Sequence, residues 1–387
     1  MKINVLFVSH SLTMSGGANR SMLQLILELK KNHDINPIVL VPYGKTREND
    51  EGLNNACIKN HIKTIRSFIP WLKHEKQWTH RFKYLCHLLL YPILIKEIKK
   101  YNIHLVHSNG SIIDLGLRIS NTLKVPHIWH LREFGWEDTR LKPIFSNSFI
   151  QKKYNHPNNT FIAISRCIKD EYSQYIHKQK IELIYNGIDS NKYKKISVHN
   201  NNLTQFAIVG VVTEHKNQLE AIHACNILIK RNIKNFQLTI IGPFDDHYKE
   251  TITNYINENN LNEYINVLGT RNDVPDILSK MDVGLMLSKS EAFGRVTIEY
   301  MFQNLLVIAS NTGANPELIT DSDTGLIYQF GKAKELANKM EFCIKNPDKL
   351  KEISKRGREF ALNTFPSEKN SENIFNLYSS LLYRQSR

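Results

Sequence analysis

The stretch Gly284-Leu-Met-Leu-Ser-Lys-Ser-Glu291-Ala-Phe-Gly294-Arg295-Val-Thr-Ile-Glu299-Tyr-Met301 joins an apolar run to a helical pattern through a short polar loop. The run ends at Leu287. Gly294 and Arg295 open the helix, which aims unpaired N–H groups and the positive end of its dipole at an anion. Glu291 stands in the loop and Glu299 about one turn inside the helix. Carboxylates are poor phosphate ligands but good acceptors for sugar hydroxyls, so the pattern predicts a ligand with a diphosphate and two polyol parts. The plainer reading of the same pair is a loop cap and an exposed helix acid.

Outward from this stretch, short apolar runs rich in β-branched residues alternate with longer helical patterns, the signature of strand, helix, strand units in a parallel sheet. In the first half the runs are Ile3 to Val8, Pro37 to Val41, His104 to His107, His127 to His130, Thr160 to Ile164 and Glu182 to Ile184, with a helix through Met22 to Leu29. The second half has runs at Phe206 to Val209, Gln237 to Ile241, Asn266 to Leu268, Gly284 to Leu287, Leu306 to Ala309 and Gly325 to Tyr328. The expected organisation is an α/β domain over 1–190, a polar linker at 191–203, a second α/β domain over 204–368, and a C-terminal helix at 369–387 that crosses back to the first domain. In such sheets ligands bind beyond the carboxyl ends of the strands, so chemistry is expected in the loops that follow them.

The 387 residues are 41% apolar and 23% charged, an ordinary globular composition. No segment approaches the roughly 20 apolar residues of a membrane span, and the first run turns polar at Ser9, too early for a signal peptide. Cys57, Cys86, Cys167, Cys225 and Cys343 form no Cys-x-x-Cys pair. They suggest neither a disulfide framework nor structural zinc, and a reducing, cytoplasmic setting fits them. The net charge of +14 is lopsided: residues 1–198 hold 30 Lys+Arg against 15 Asp+Glu, and residues 199–387 hold 21 against 22. The excess peaks from Lys59 to Lys100, where ten bases face Glu75 and Glu97 among Phe68, Trp71, Trp78, Phe82, Tyr84 and Tyr91. A segment of this kind suits the headgroup layer of an anionic membrane, where each base contributes about 1 kcal/mol. The alternative is a pair of packed helices with a solvated basic face. Nucleic acid is not an expected partner, since no finger, helix-turn-helix or aromatic RNA-binding signature is present.

Other loops carry weaker signals. Gly16 and Gly17, after the first run, would let the backbone approach a ligand closely before a helix begins. Arg20 would then meet an acceptor phosphate or support the loop. The run Pro126-His-Ile-Trp-His130 leads into Leu131-Arg132-Glu133, and His130 either serves a ligand or is satisfied by a carboxylate such as Glu133. Asp321 and Asp323 superficially offer two metal carboxylates but precede Thr324-Gly325 in a surface turn, so no metal is expected.

Taken in order, Gly16-Gly17, Tyr185-Asn186-Gly187-Ile188-Asp189, Gly210 with Lys216 six residues on, Leu268-Gly269-Thr-Arg271-Asn-Asp273-Val274, Glu291 with Glu299, and Thr312-Gly313-Ala-Asn-Pro-Glu317 span nearly the whole chain. The set resembles the retaining nucleotide-sugar glycosyltransferases of family 4. The resemblance implies a GT-B architecture, two Rossmann-like parallel-sheet domains facing across a cleft, and a nucleotide diphosphate sugar as co-substrate, foremost a UDP-sugar, with no cofactor and no metal. It implies that Glu299 holds the ribose and Glu291 the transferred sugar. The backbone of Phe293, Gly294, Arg295 and Val296 would bind sugar and phosphate, and Lys216 would neutralise the leaving diphosphate. Gly16, Gly17 and Gly210 would lie against the donor, with Arg271 and Val274 near its base. His130 would stand beside the transferred sugar as a catalytic group with Glu291 and Lys216, and Arg20 and Arg132 would meet the acceptor. The chain departs from the family where Arg commonly follows the glycine: Gly210 precedes Val211, which leaves His215 or Arg295 to compensate. The basic first domain suits a lipid-linked saccharide as acceptor at the inner face of the cell membrane, in bacterial surface polysaccharide or glycoconjugate synthesis. A nucleotide-sugar epimerase of the same fold and a non-catalytic partner protein are the rival readings.

Overall fold

The computed structural model describes residues 2–385 apart from 15, 45, 47–50, 73–76, 135–144 and 194–202. Most of the expected linker therefore lies outside the described residues. The chain forms two compact units, one of residues 1–187 with 367–387 and one of residues 188–366. Both are parallel α/β sheets, as expected. Among the described residues no helix is long and apolar enough to cross a membrane, and all five cysteines are free thiols.

The first unit runs β1 (Ile3–Ser9), α1 (Gly17–Asn32), β2 (Ile35–Pro42), α2 (Leu53–Lys59), β3 (Lys63–Ser67), α3 (Gln77–Lys99), β4 (Leu105–Asn109), α4 (Leu115–Leu123), β5 (His127–Leu131), α5 (Asn147–Tyr154), β6 (Asn159–Ala163), α6 (Arg166–Tyr172) and β7 (Ile181–Leu183). Its sheet order is β3-β2-β1-β4-β5-β6-β7, all parallel. The central strands are buried on both faces, which is why they read as continuous apolar runs. β3 differs, because Lys63 and Arg66 point to solvent while Ile65 and Ser67 point inward. Charges on an edge strand discourage further pairing, and they hid the strand in the sequence. The basic, aromatic segment is thus a strand followed by one long helix, not a pair of helices.

The second unit runs β8 (Thr204–Val209), α7 (Gln218–Lys230), β9 (Phe236–Ile241), α8 (Asp246–Glu258), β10 (Ile265–Gly269), α9 (Val274–Leu278), β11 (Val283–Met286), α10 (Arg295–Phe302), β12 (Leu306–Ser310), α11 (Asn315–Leu318), β13 (Leu326–Tyr328), α12 (Ala333–Lys345) and α13 (Pro347–Thr364). Its order is β10-β9-β8-β11-β12-β13, again parallel. In each sheet the chain order reverses once, between β1 and β4 and between β8 and β11. The crevice beyond the carboxyl ends at such a reversal is where ligands bind in doubly wound sheets.

The last helix, α14 (Ser367–Gln385), belongs to the first unit. Met22, Leu25, Ile26 and Leu29 line one face of α1, and Ile374 and Tyr378 of α14 join them with Val5 and Phe7 in one buried cluster. Polar contacts fix the register: Ser367 Oγ donates to buried Glu28 at 3.2 Å, and Asn370 Nδ2 donates to the Tyr185 carbonyl at 2.6 Å. The C-terminal helix is therefore part of the first unit's core. Replacing fully buried Ile374 by Ala should destabilise the protein by about 2–5 kcal/mol, read as a lower urea midpoint. An unchanged midpoint would mean that α14 is not packed as described.

Candidate active site

In the second unit the loops after β8 and β11 leave adjacent strands at the chain reversal. The first runs from Gly210 through Thr213, whose hydroxyl accepts the Lys216 N–H at 3.3 Å, to the start of α7. Gln218 holds this loop from inside, donating to the Val211 carbonyl at 3.1 Å and accepting the Thr213 N–H at 3.3 Å. The second loop, Ser288 to Gly294, is strapped by residues after β12. Ser310 and Thr312 donate to the Ser288 carbonyl at 3.0 and 2.8 Å, and the Ala314 N–H donates to the Glu291 carbonyl at 2.8 Å. Gly313 has φ +56°, and a Cβ there would lie 2.5 Å from backbone atoms of Glu291. Only glycine permits that approach, so Thr312-Gly313 is the seat of the Glu291 loop.

Lys216 and Glu291 meet across the two loops, Nζ to Oε2 at 2.7 Å, and the other oxygen of Glu291 accepts the Gly294 N–H at 3.3 Å. His215 ties the loops again: its carbonyl accepts the Lys289 N–H at 3.0 Å and its Nε2 lies 3.1 Å from the Ser290 carbonyl. Gly294 caps α10 in the left-handed region at φ +80°, and the first N–H groups of a helix have no partner within it. Inside the first turn Arg295 Nε donates to Glu299 Oε1 at 3.0 Å. Both carboxylates thus carry a cation beside a helix N-terminus. Phe293 is buried, its ring 5.8 Å from that of Phe365, and holds the loop down. Tyr300 accepts the Val209 N–H at 2.8 Å and ties α10 to the end of β8. Val211 is 43% exposed on the first loop. Arg271, after β10, makes a bidentate pair with Asp273 at 2.8 and 2.6 Å, and Val274 begins α9.

The turn acids are engaged otherwise. Asp321 accepts the Ile327 N–H at 2.7 Å and meets Lys339 at 3.4 Å, and Asp323 pairs with Arg356 at 2.7 Å. Among the described residues no three His, Cys, Asp or Glu side chains stand together as a metal site.

In the first unit Gly16 caps α1 with φ −83°, a conformation open to any residue, and Gly17 is the first helical residue. A Cβ on either would meet nothing within 4 Å. Neither glycine is required by its backbone conformation or by a close neighbour, and both leave open surface. Arg20 Nε donates to the Met14 carbonyl at 2.8 Å, supporting the loop.

His130, at the end of β5, is buried and is not served by Glu133, whose carboxylate instead accepts from Ser111 N–H and Oγ at 2.6 and 2.7 Å. Its Nδ1 lies 3.0 Å from His107 Nε2 and 3.3 Å from Arg132 Nη2, and His107 Nδ1 lies 2.6 Å from the Tyr378 hydroxyl. Arginine only donates, so His130 Nδ1 is an acceptor and its proton sits on Nε2. His107 Nε2 then donates to it, and Tyr378 donates to His107 Nδ1. Burial first, then Arg132, holds both rings well below their ordinary pKa, so both are neutral. The relay ends on His130 Nε2, a buried donor without a partner among the described residues. Arg132 also donates to Asn109 Oδ1 and, at 2.6 Å, to Asn186 Oδ1. At 7% exposure it binds β4, β5 and the Asn186 segment together. Tyr378 and His107 gave no functional signal in the sequence.

Sequence also missed an open hollow of about 380 Å³ at the carboxyl ends of β1, β2 and β3, lined by His10, Leu12, Tyr43, Phe68, Ile69 and Trp71 among others. A larger hollow of about 680 Å³ opens at the amino ends of β5 to β7, the wrong end of the sheet for a ligand site.

The relay predicts that long-range ¹H–¹⁵N spectra place the proton of both His107 and His130 on Nε2 and that both rings remain neutral as the pH passes through the usual histidine value near 6.5. A proton on His130 Nδ1 would overturn the relay. Burial also lowers His127 to about 4. The unfolded chain therefore binds more protons than the folded one below about pH 6.5, so stability present above that value is lost as the pH falls. The urea midpoint should drop from pH 7 to pH 5.

Two family models match in tandem: Glycosyltransferase Family 4 over residues 15–192 and Glycosyl transferases group 1 over residues 189–360. Among curated relatives, the UDP-Gal:α-D-GlcNAc-diphosphoundecaprenol α-1,3-galactosyltransferase of Escherichia coli is 26% identical over 332 residues, covering 81% of this chain and 84% of the relative. The capsular polysaccharide biosynthesis glycosyltransferase CapH of Staphylococcus aureus is 25% identical, covering 78% of this chain and 80% of the relative. The solved structure of Anabaena HepE in complex with UDP superposes with a TM-score of 0.81 at 20% identity, over 98% of this chain and 100% of that one. It shares the fold. The chain belongs to the group 1, family 4 glycosyltransferases and has their GT-B fold.

Proposed function

We propose that this protein transfers a sugar, with retention of configuration and without a metal or cofactor, from a UDP-sugar to a hydroxyl of a lipid-linked saccharide in bacterial surface polysaccharide or glycoconjugate synthesis. It would work from the cytoplasm at the inner face of the membrane. The carrying observation is the Lys216–Glu291 pair spanning the two loops at the chain reversal, beside the start of α10 with its Arg295–Glu299 pair.

In this reading Lys216 turns to the diphosphate, where negative charge grows as the glycosidic bond breaks, and the backbone N–H groups of Gly294 to Val296 share that charge. Gly210, at the head of the Lys216 loop, lets the donor lie close. Glu291 accepts from the transferred sugar and Glu299 from the ribose, while Arg271 and Val274 border the base. His130 offers its Nε2–H to a sugar hydroxyl. Gly16 and Gly17, at the start of α1, leave open surface for the donor, and Arg20 meets the acceptor. The acceptor hydroxyl approaches the face from which the diphosphate departs, and the barrier falls through positioning and through stabilisation of the leaving group. The hollow lined by Tyr43, Phe68 and Trp71 offers flat apolar surfaces that suit a saccharide acceptor. The E. coli relative is named for a UDP-sugar donor and a diphosphoundecaprenol-linked acceptor, which supports the same pairing here.

The test is a transfer assay with UDP-sugars and a lipid-diphosphate-linked saccharide in detergent micelles. Lys216→Ala should lower kcat by about 10²–10³-fold, the usual effect of removing one charge-stabilising donor. EDTA should change nothing, and proton NMR of the product should show the donor's anomeric configuration. An inverted product, or loss of activity in EDTA, would contradict the proposal.

A further inference from the structure

From Trp78 to Ile93, helix α3 turns apolar side chains to solvent and polar ones inward. Trp78, Phe82, Leu85, Leu89 and Ile93 follow at helical spacing along one stripe, and they are 79, 68, 58, 81 and 70% exposed. Leu88 and Leu90 widen the stripe on either side. The opposite face sets Tyr84, His87 and Tyr91 against a buried ionic cluster. Tyr84 donates to Asp114 at 2.7 Å, Lys153 meets that carboxylate at 3.1 Å, and the Arg118 guanidinium lies 5.0 and 5.4 Å over the rings of Tyr84 and Tyr91. An ordinary surface helix has the reverse arrangement. The ridge is about 22 Å long at 1.5 Å per residue, and an exposed apolar surface of this kind marks a binding face.

Charge selects the occupant. Arg81, Lys83, Lys96, Lys99 and Lys100 collar the ridge, while the one acid of this helix, Glu97, is paired with Lys100 at 2.5 Å. Two copies packed ridge to ridge would bring two such collars together. An anionic bilayer offers apolar depth for the ridge and negative headgroups for the collar. The buried face of α3 neighbours the hollow, since the Phe68 ring that lines it stands 6.4 Å from the ring of His87.

We infer that α3 seats the protein on an anionic bilayer, with its apolar ridge at the boundary of headgroups and acyl chains and its Arg and Lys collar on lipid phosphates, beside the hollow for the acceptor. The link to the acceptor rests on the function proposed above; the seating does not. The test is cosedimentation of the full-length protein, at physiological salt, with vesicles of phosphatidylglycerol and phosphatidylcholine in equal parts and with phosphatidylcholine alone. Binding to the anionic vesicles is expected. Leu85→Gln with Leu89→Gln should weaken it about tenfold or more through lost apolar burial, and Arg81→Glu with Lys83→Glu should weaken it as well. Lys83, Leu85 and Leu89 are exposed, and Arg81 is half-buried with its guanidinium over the exposed ring of Trp78, so both variants should keep the wild-type melting temperature and UDP-sugar binding. Absence of binding to anionic vesicles, or binding that both variants retain, overturns the inference. So does a wild-type dimer that the leucine variant dissolves, which would assign the ridge to a second copy. If vesicle binding fails while transfer to a short-chain soluble acceptor persists, the seating falls and the transfer reading stands. Vesicle binding without any transfer would keep the seating and remove the transfer reading.

Discussion

Lys216 and Glu291 sit on loops that leave neighbouring parallel strands, and their ion pair fixes the spacing of those loops at the point where the chain order reverses. A partly exposed pair of this kind contributes about 0–1 kcal/mol to stability. What it sets is position. The pair, with Arg295 on Glu299 one helical turn away, lets two carboxylates stand at the positive end of α10 with cations already in place. A charge that develops there meets groups needing little reorganisation, which is the condition under which such groups lower a barrier most. The surrounding architecture serves this arrangement. Thr312-Gly313 seats the Glu291 loop, Gln218 holds the Lys216 loop, and Tyr300 ties α10 to β8.

The first unit meets a different constraint, that of keeping polar groups buried yet satisfied. His107, His130, Arg132 and Tyr378 form one network in which His130 Nε2 alone of the ring nitrogens lacks a partner among the described residues, and the direction of every bond follows from the fact that arginine cannot accept. The network reaches from α14, at the end of the chain, to a single N–H at the end of β5. It gives the C-terminal helix a role beyond packing, because Tyr378 donates to the His107 nitrogen that Arg132, acting through His130, leaves as an acceptor.

The sequence shows much of this fold because buried parallel strands are written as continuous apolar runs; all six strands of the second sheet are visible that way. β3 is not, since Lys63 and Arg66 break the run on an edge strand, and the inverted character of α3 is not, since an all-round apolar helix does not reveal which side is covered. The carboxylates, the cation and the glycines of the second unit are legible because they lie in short loops after strands or, for Glu299, in the helix that such a loop opens. Arg132 is legible as a residue but not in its contacts: its partners Asn109 and Asn186 lie 23 and 54 positions away. Tyr378 and His107 are separated by 271 positions, and no local pattern joins them.

The central claim is that the paired charges around α10 hold a nucleotide diphosphate sugar. Ligand-observed NMR of the wild-type protein and of Glu299→Ala against UDP-, GDP-, ADP- and TDP-sugars tests it most directly. The account predicts selective binding of the UDP-sugar, weakened about tenfold or more by Glu299→Ala, as expected for losing hydrogen bonds to a charged group. Binding of none of these sugars, or equal binding by both proteins, would contradict it.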